Sequence, residues 1–163
     1  MGDYCVVTAD GARARFFTLE RALQPAVESG PNLVEEREAL VNAELELSGR
    51  ELWSDNKTGR NAANGMAHGY DDHRDQHIDE FKRRFAKLVA EQAVQLAERK
   101  QVKNLVVVAE KQMLGFMRGE MHVSPKAGFA VHELAKDLSR LSPLELHGHL
   151  ATEGLVPARQ RRG

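Results

Sequence analysis

The chain has 163 residues, of which 42% are hydrophobic, and its 23 Lys and Arg nearly balance its 24 Asp and Glu. This length suits a single domain that buries its own core without a disulfide framework or a structural metal. The near-neutral charge excludes a protein that is basic throughout and coats nucleic acid, although it leaves room for a local basic face.

The first predicted element is a β-hairpin. Two apolar runs rich in β-branched and aromatic residues flank an Asp10-Gly11 dipeptide, which is a strong turn signal. Along the second strand, Arg13 and Arg15 fall on one face of the sheet, because side chains alternate along a strand. The two predicted strands cover 3–10 and 13–19, with Ala14 and Phe16 on the face opposite the arginines.

The next segments carry weaker signals. Residues 23–32 contain two prolines and a glycine and predict a loop. Residues 33–40 predict a third strand, with a weaker signal because glutamates are poor strand formers. Residues 48–74 are rich in Ser, Gly, Asn, Asp and His and show no apolar period, which predicts a long loop. Such loops in compact domains are either functional or disordered.

The clearest element is an amphipathic helix over 75–100. Apolar residues recur at helical spacing, acidic residues lie near its start, and Arg99 and Lys100 lie near its end, which complements the helix dipole. The apolar positions are Ile78, Phe81, Phe85, Leu88, Val89 and Leu96.

Four shorter elements complete the pattern: a buried strand over 105–109, a helix over 113–117, a strand over 129–134 and a helix over 142–150. Ser142 and Glu145, with a proline between them, form a capping box at the start of the last helix. Residues 151–163 predict a basic, flexible tail. Helices that alternate with strands predict an α/β fold, with a mixed sheet covered by helices in one domain over 1–150.

The compartment follows from the cysteine count and the chain start. Cys5 is the only cysteine, which excludes an intramolecular disulfide and favours a reducing environment. Its predicted central strand makes it an inert buried thiol. The start lacks a secretory signal, and no apolar run reaches the roughly 20 residues that cross a bilayer. The sequence therefore predicts a cytoplasmic protein without membrane insertion.

A cluster of histidine and aspartate from His68 to His77 is the sharpest candidate for chemistry. Asp71, Asp72, His73 and His77 are residue types that bind divalent metals, and His73 and His77 lie one helical turn apart if the helix begins early. The alternative is that these aspartates cap a helix N-terminus. No zinc-protease, Walker A, nucleophile-elbow or dinucleotide-binding motif is present.

Charge is distributed unevenly along the chain. Residues 28–55 contain eight acids and two bases, a local sum of −6. Arg13, Arg15 and Arg60 offer a basic contact region elsewhere. The alternative is an ordinary solvated surface of mixed sign, since exposed charges usually serve solubility.

Four segments in order resemble the bacterial host attachment proteins, also called proteins required for attachment to host cells. Together they run through nearly the whole of 3–150. They are the opening hairpin Val7-x-Ala-Asp-Gly-x-Arg-Ala-Arg-x-Phe17, the loop residues Trp53-Ser-Asp55 with Gly59-Arg60, the strand and helix of 105–118, and Lys136-Asp-Leu-x-x-Leu-Ser-Pro-x-Glu-Leu146. The family's usual proline after the buried strand is replaced by Glu110-Lys111.

This family is similar to the central domain of archaeal and eukaryotic peptide-release factors, which implies an RNase-H-like α/β fold. The Gly-Gly-Gln triplet that triggers peptide release there is absent from 64–69. The resemblance therefore implies the fold without that catalysis. It also implies a link to bacterial attachment to host cells, and an indirect or regulatory role suits a chain without an export signal.

Two hypotheses follow. The first is a non-catalytic cytoplasmic binding module without a cofactor, which contacts a protein or an RNA or ribosome partner through Asp10, Arg13, Arg15, Asp55 and Arg60. The second is a metal-dependent hydrolase of the phosphodiesterase or nuclease type that uses the four residues of the His and Asp cluster. The sequence leaves the oligomeric state open, a homodimer included.

Overall fold

A computed structural model describes residues 3–45, 63–121 and 128–160, and for 63–74 it describes the backbone alone. Six strands and three helices lie wholly within these ranges, and residues 43–45 are helical as well. In chain order they are β1 (Tyr4–Ala9), β2 (Arg13–Glu20), β3 (Asn32–Glu35), β4 (Leu40–Val41), α1 (Ala63–Lys100), β5 (Asn104–Ala109), α2 (Lys111–Glu120), β6 (Ala130–Ala135) and α3 (Pro143–Thr152).

All six strands belong to one mixed sheet. Its order is β3-β2-β1-β5-β6, and β4 pairs with β2 beside β3. β1 and β2 are antiparallel across the predicted Asp10-Gly11 turn, whereas β1 pairs with β5 and β5 pairs with β6 in parallel. The predicted α/β class and mixed sheet are confirmed.

The sheet has a core layer on each face. On one face, Cys5, Val7 and Ala9 of β1 pack against buried residues of α1 and α2. On the other face, Val6 packs with Leu146 and Leu150 of α3. The alternation along β1 therefore divides one strand between two cores, as expected for a central strand covered on both sides.

The long helix begins earlier than predicted. α1 starts at Ala63, so the predicted loop is wrong for 63–74, while the rest of that loop lies outside the described residues. Apolar periodicity marks only the part of a helix that packs on the sheet, and a polar extension carries no such signal. Phe85, Val89 and Leu96 are buried as predicted, but Leu88 is 56% exposed.

The third strand is shorter than predicted. β3 covers Asn32–Glu35, and pairing resumes at β4, so the predicted strand over 33–40 is interrupted at 36–39. Three of these four residues are charged, which suits an edge exposed to water. The predictions for the hairpin, the buried strand, the second helix and the last strand agree with the structure to within a few residues.

The C-terminal part packs onto the body. The capping box of α3 is confirmed, since the Glu145 amide donates to Ser142 Oγ at 3.2 Å. Beyond the helix, Val156 is buried in the α3 core, and Gln160 pairs with Gly30 by two backbone hydrogen bonds. This packing differs from the expected flexible tail for 151–160, and residues 161–163 lie outside the described part.

Within the described ranges, no helix is both long enough and apolar enough to span a membrane.

Candidate functional site

The carboxyl ends of three parallel strands meet at one edge of the sheet. β1, β5 and β6 end at Ala9, Ala109 and Ala135, and the chain leaves them in different directions. Ligands of open α/β sheets bind outside such ends, where connections diverge. We call this region the carboxyl edge; it comprises residues 10–15, 110–111 and 136–142.

Asp10 joins the two halves of the carboxyl edge. Its Oδ1 accepts hydrogen bonds from the amides of Ala12 at 2.7 Å and Arg13 at 2.8 Å, which fixes the hairpin turn. Its Oδ2 accepts one from the Ser139 hydroxyl at 2.9 Å. A single carboxylate therefore holds the turn and the loop after β6 together.

The Ser139 hydroxyl lies between two carboxylates. Its Oγ is 2.9 Å from Asp10 Oδ2 and 2.7 Å from Asp137 Oδ1. Because a hydroxyl has one proton, it donates to one of these acceptors at a time. The Ser139 amide also donates to Asp137 Oδ1 at 3.3 Å, so the loop is ordered by its own side chains.

Arg15 anchors the same loop from the sheet. Its Nη1 donates to the carbonyl oxygens of Ser139 at 3.1 Å and Leu141 at 2.6 Å, and its Nε and Nη2 donate to the two carboxylate oxygens of Glu35. The guanidinium also stacks over the Phe17 ring, with 5.0 Å to the ring centroid. The sequence predicts that Arg15 contacts a partner. In the structure, the guanidinium of Arg15 binds groups of its own chain.

Asn42 fixes the hairpin turn from the opposite side. This buried amide donates to the carbonyl oxygens of Gly11 at 2.9 Å and Phe81 at 3.3 Å, and its backbone amide donates to Ala12. The turn is therefore connected to α1 as well as to the loop over 136–142. Buried amide bridges of this kind rigidify a site when their polar groups are paired.

Three exposed cations belong to the carboxyl edge. The side chains of Arg13, Lys111 and Arg140 are exposed, and none forms an ion pair within the described residues. Arg13 was predicted as a contact residue, and its neighbour Arg15 shares its face as predicted. Arg140, Ser139 and Glu35 were missed, because their proximity to the hairpin depends on long-range packing.

The predicted metal cluster lies on α1. The described backbone places His73 and His77 one helical turn apart, while the side chains of Asp71, Asp72 and His73 lie outside the description. His77 is exposed and its ring stacks on Phe81, with centroids 6.2 Å apart. Within the described part of the chain, no three His, Cys, Asp or Glu side chains converge as metal ligands.

Two further predicted contact residues, Asp55 and Arg60, lie outside the described residues.

Cys5 is fully buried in β1, and burial, followed by the nearby Glu36 carboxylate, raises the pKa of its thiol to about 12. The His132 ring contacts Asn104 at 2.9 Å, and the buried His147 ring contacts the Pro157 carbonyl at 2.7 Å. Both histidines therefore have structural partners away from the carboxyl edge.

The amino edge of the sheet, at the other end of its strands, holds a cavity of about 470 Å³. Tyr4, Leu19 and three prolines form much of its wall, and its one ion pair, Arg21 with Asp3, is exposed and 3.7 Å long. Within the described residues, the lining of this cavity does not bring polar side chains together in a hydrogen-bonded network like that of the carboxyl edge. We therefore place the candidate site at the carboxyl edge.

A single mixed sheet with helices on both faces, and with a polar network where its parallel strands end, defines an α/β protein. The chain belongs to the family of proteins required for attachment to host cells, whose model matches residues 5–150. The matched range includes the whole carboxyl edge. No curated protein matches the chain.

Proposed function

We propose that this protein is a non-catalytic binding module of the host attachment family, and that its carboxyl edge contacts a protein partner. The observation that carries the proposal is the closed network of Asp10, Ser139 and Arg15, which holds Arg13 and Arg140 on a fixed base. A preorganised surface binds with a smaller loss of conformational entropy than a mobile one.

The chemistry of the network favours binding over catalysis. A nucleophile needs a base within hydrogen-bond reach and a third group that orients that base. The two carboxylates beside the Ser139 hydroxyl, Asp10 and Asp137, already accept backbone amides of the turn and of the loop. These groups serve the conformation of the edge.

The charge pattern favours a protein over a nucleic acid. The exposed cations Arg13, Lys111 and Arg140 are interspersed with the carboxyl groups of Glu110 and Asp137. Nucleic-acid surfaces carry a clustered excess of Lys and Arg, whereas complementary mixed charges set specificity between proteins. In this proposal the module is cytoplasmic, and its link to attachment is indirect or regulatory.

We also propose the RNase-H-like fold of the release-factor central domain for this chain. An antiparallel β1–β3 meander, followed by the parallel strands β5 and β6, supports this assignment. The catalytic triplet of release factors is absent, so the assignment adds no activity.

The test is a pull-down from the native cell lysate with the double variant Arg13→Glu and Arg140→Glu. Lys103→Glu with Arg21→Glu is the matched control, because both residues are exposed near the opposite ends of the strands. Arg15 is left unchanged, since its loss would disturb the loop itself. We expect the edge variant to lose a protein partner that the control retains, with or without nuclease.

Equal recovery by both variants would contradict the proposal. Recovery that disappears after nuclease treatment would instead identify an RNA-dependent partner and favour the ribosome-associated alternative.

A second candidate function is a metal-dependent hydrolase. It is favoured by one observation, the continuous helix that brings His73 and His77 one turn apart. Titration with zinc or manganese in a calorimeter tests it, with His73→Ala as control. Binding heat that His73→Ala removes, and phosphodiesterase activity that Asp72→Asn removes, would support this function; no heat would end it.

A further inference from the structure

The outermost strands of the sheet, β3 with β4 on one side and β6 on the other, differ in how they are protected against pairing with another chain. β3 has four residues and β4 has two, the segment between them is charged, and Gln160 pairs with Gly30 beside β3. Short strands, charge and covering segments are the usual protection of a sheet edge against pairing with another chain. At the other edge, β6 has six residues that all pair with β5.

The outer side of β6 presents a regular row of backbone groups. The Ala130 amide donates to Lys103 beside β5, so Ala130 points inward, and the groups of every second residue do the same. By this alternation the amides and carbonyls of Val131, Glu133 and Ala135 point outward. No described segment pairs with them.

The side chains beside this row favour contact with another strand. Glu133 is the only charged side chain of β6, and Arg118 of α2 binds it with two nitrogens at 3.0 and 2.6 Å. Val131 and Leu134 are only partly buried, one on each face of the sheet. An added strand would cover both and would meet no unpaired charge.

We propose that two copies of this protein pair through β6 in antiparallel fashion about a twofold axis at Glu133. The three outward residues of each copy then match, with Val131 opposite Ala135 of the second copy and Glu133 opposite Glu133. This register forms about six backbone hydrogen bonds, because each such pair exchanges two. The two Arg118–Glu133 pairs meet at the axis as a neutral cluster of four charges, so the edge is complementary to itself.

The pairing joins the two sheets into one and determines where the carboxyl edges of the two copies lie. Antiparallel strands place the carboxyl edge of one copy beside the amino edge of the other. The two carboxyl edges therefore lie at opposite ends of the joined sheet, and a dimer connects two partners instead of contacting one partner twice. This consequence rests on the proposed function, whereas the pairing itself does not.

The experiment is the molar mass of the purified protein by light scattering and by sedimentation over a range of concentrations. The wild type is expected to approach twice the chain mass as concentration rises. Val131→Pro removes an outward amide and leaves the bonds to β5, so it is expected to stay monomeric and folded. Arg118→Glu leaves the backbone of β6 unchanged and places two glutamates of each copy at the axis. Because these four acids repel one another, this variant is also expected to have the mass of a monomer.

Lys87→Glu is the control, because this exposed lysine of α1 lies away from β6 and its charge change should leave the dimer intact. A monomeric wild type at every concentration overturns the proposal, and so does a dimer that persists in Arg118→Glu or in folded Val131→Pro. If Val131→Pro does not fold, Arg118→Glu decides.

The register has its own test in Glu133→Cys combined with Arg118→Gln, which leaves no unpaired arginine at the axis. Cys5 is fully buried, so the introduced thiol is the reactive one. Paired residues at the axis lie about 5.5 Å apart at Cα, which a disulfide can span. Mild oxidation is expected to give a disulfide-linked dimer, and a dimer that stays unlinked contradicts this register.

Discussion

Replacing Arg15 with alanine should reveal how much of the carboxyl edge one side chain holds together. The change removes the donors for the carbonyl oxygens of Ser139 and Leu141, each worth roughly 1.5 kcal/mol as a bond from a charged donor to a partly buried acceptor. The Glu35 pair adds only about 0.5 kcal/mol, because the two side chains are 21% and 35% exposed. The Phe17 contact adds about 0.5 kcal/mol. We expect a loss of about 3 to 4 kcal/mol.

Urea denaturation followed by circular dichroism measures this loss. Arg13→Ala is the matched control, since Arg13 lies on the same strand and face with an exposed side chain, and it should cost less than about 0.5 kcal/mol. Arg15→Lys keeps the charge without the forked donors and should cost about half as much as Arg15→Ala. If Arg15→Ala and Arg13→Ala differ by less than about 1 kcal/mol, the anchoring role of Arg15 is wrong.

Three further predictions concern other parts of the chain. Gly30→Ala places a methyl group 2.8 Å from the Ala22 side chain and 3.0 Å from its amide nitrogen, so it should cost about 1 to 3 kcal/mol; Gly148→Ala meets open space in α3 and should stabilise by about 0.5 to 1 kcal/mol. A thiol reagent at pH 8 should leave Cys5 unmodified until the protein unfolds, because burial raises its pKa to about 12; rapid labelling of folded protein would refute the burial. Hydrogen bonds from basic partners lower the pKa of the Glu133 and Glu153 carboxyls. The two ionised carboxyls therefore add to the free energy of unfolding. This contribution is complete above the unfolded pKa of about 4.3 and is lost as pH falls through the lower folded pKa. The double variant Glu133→Gln with Glu153→Gln should therefore lose less stability than the wild type as the pH is lowered.

The fold was predictable where a local pattern decides the structure. The Asp10-Gly11 turn, the apolar run over 105–109 and the capping box at Ser142 each report on neighbours in sequence, and the structure contains all three. The start of α1 was not predictable in this way. Its first part has no apolar stripe, and periodicity records only a helix face that packs on a core.

The site was predictable only in part. Asp10, Arg13 and Arg15 were selected from the hairpin alone, and they do lie together. The groups that determine their roles come from distant parts of the chain: Glu35 is 20 residues from Arg15, and Ser139 is 129 residues from Asp10. Contacts at such separations depend on strand order and loop packing, and a single sequence does not encode them as a readable pattern.

The central claim is that the carboxyl edge binds a partner, and hydrogen–deuterium exchange of the captured complex tests it most directly. We predict slower exchange on binding for the amides of 10–13 and 137–141, with little change at the amino edge over 21–31 and 157–160. Protection confined to the amino edge, with unchanged exchange at 10–13 and 137–141, would contradict the account.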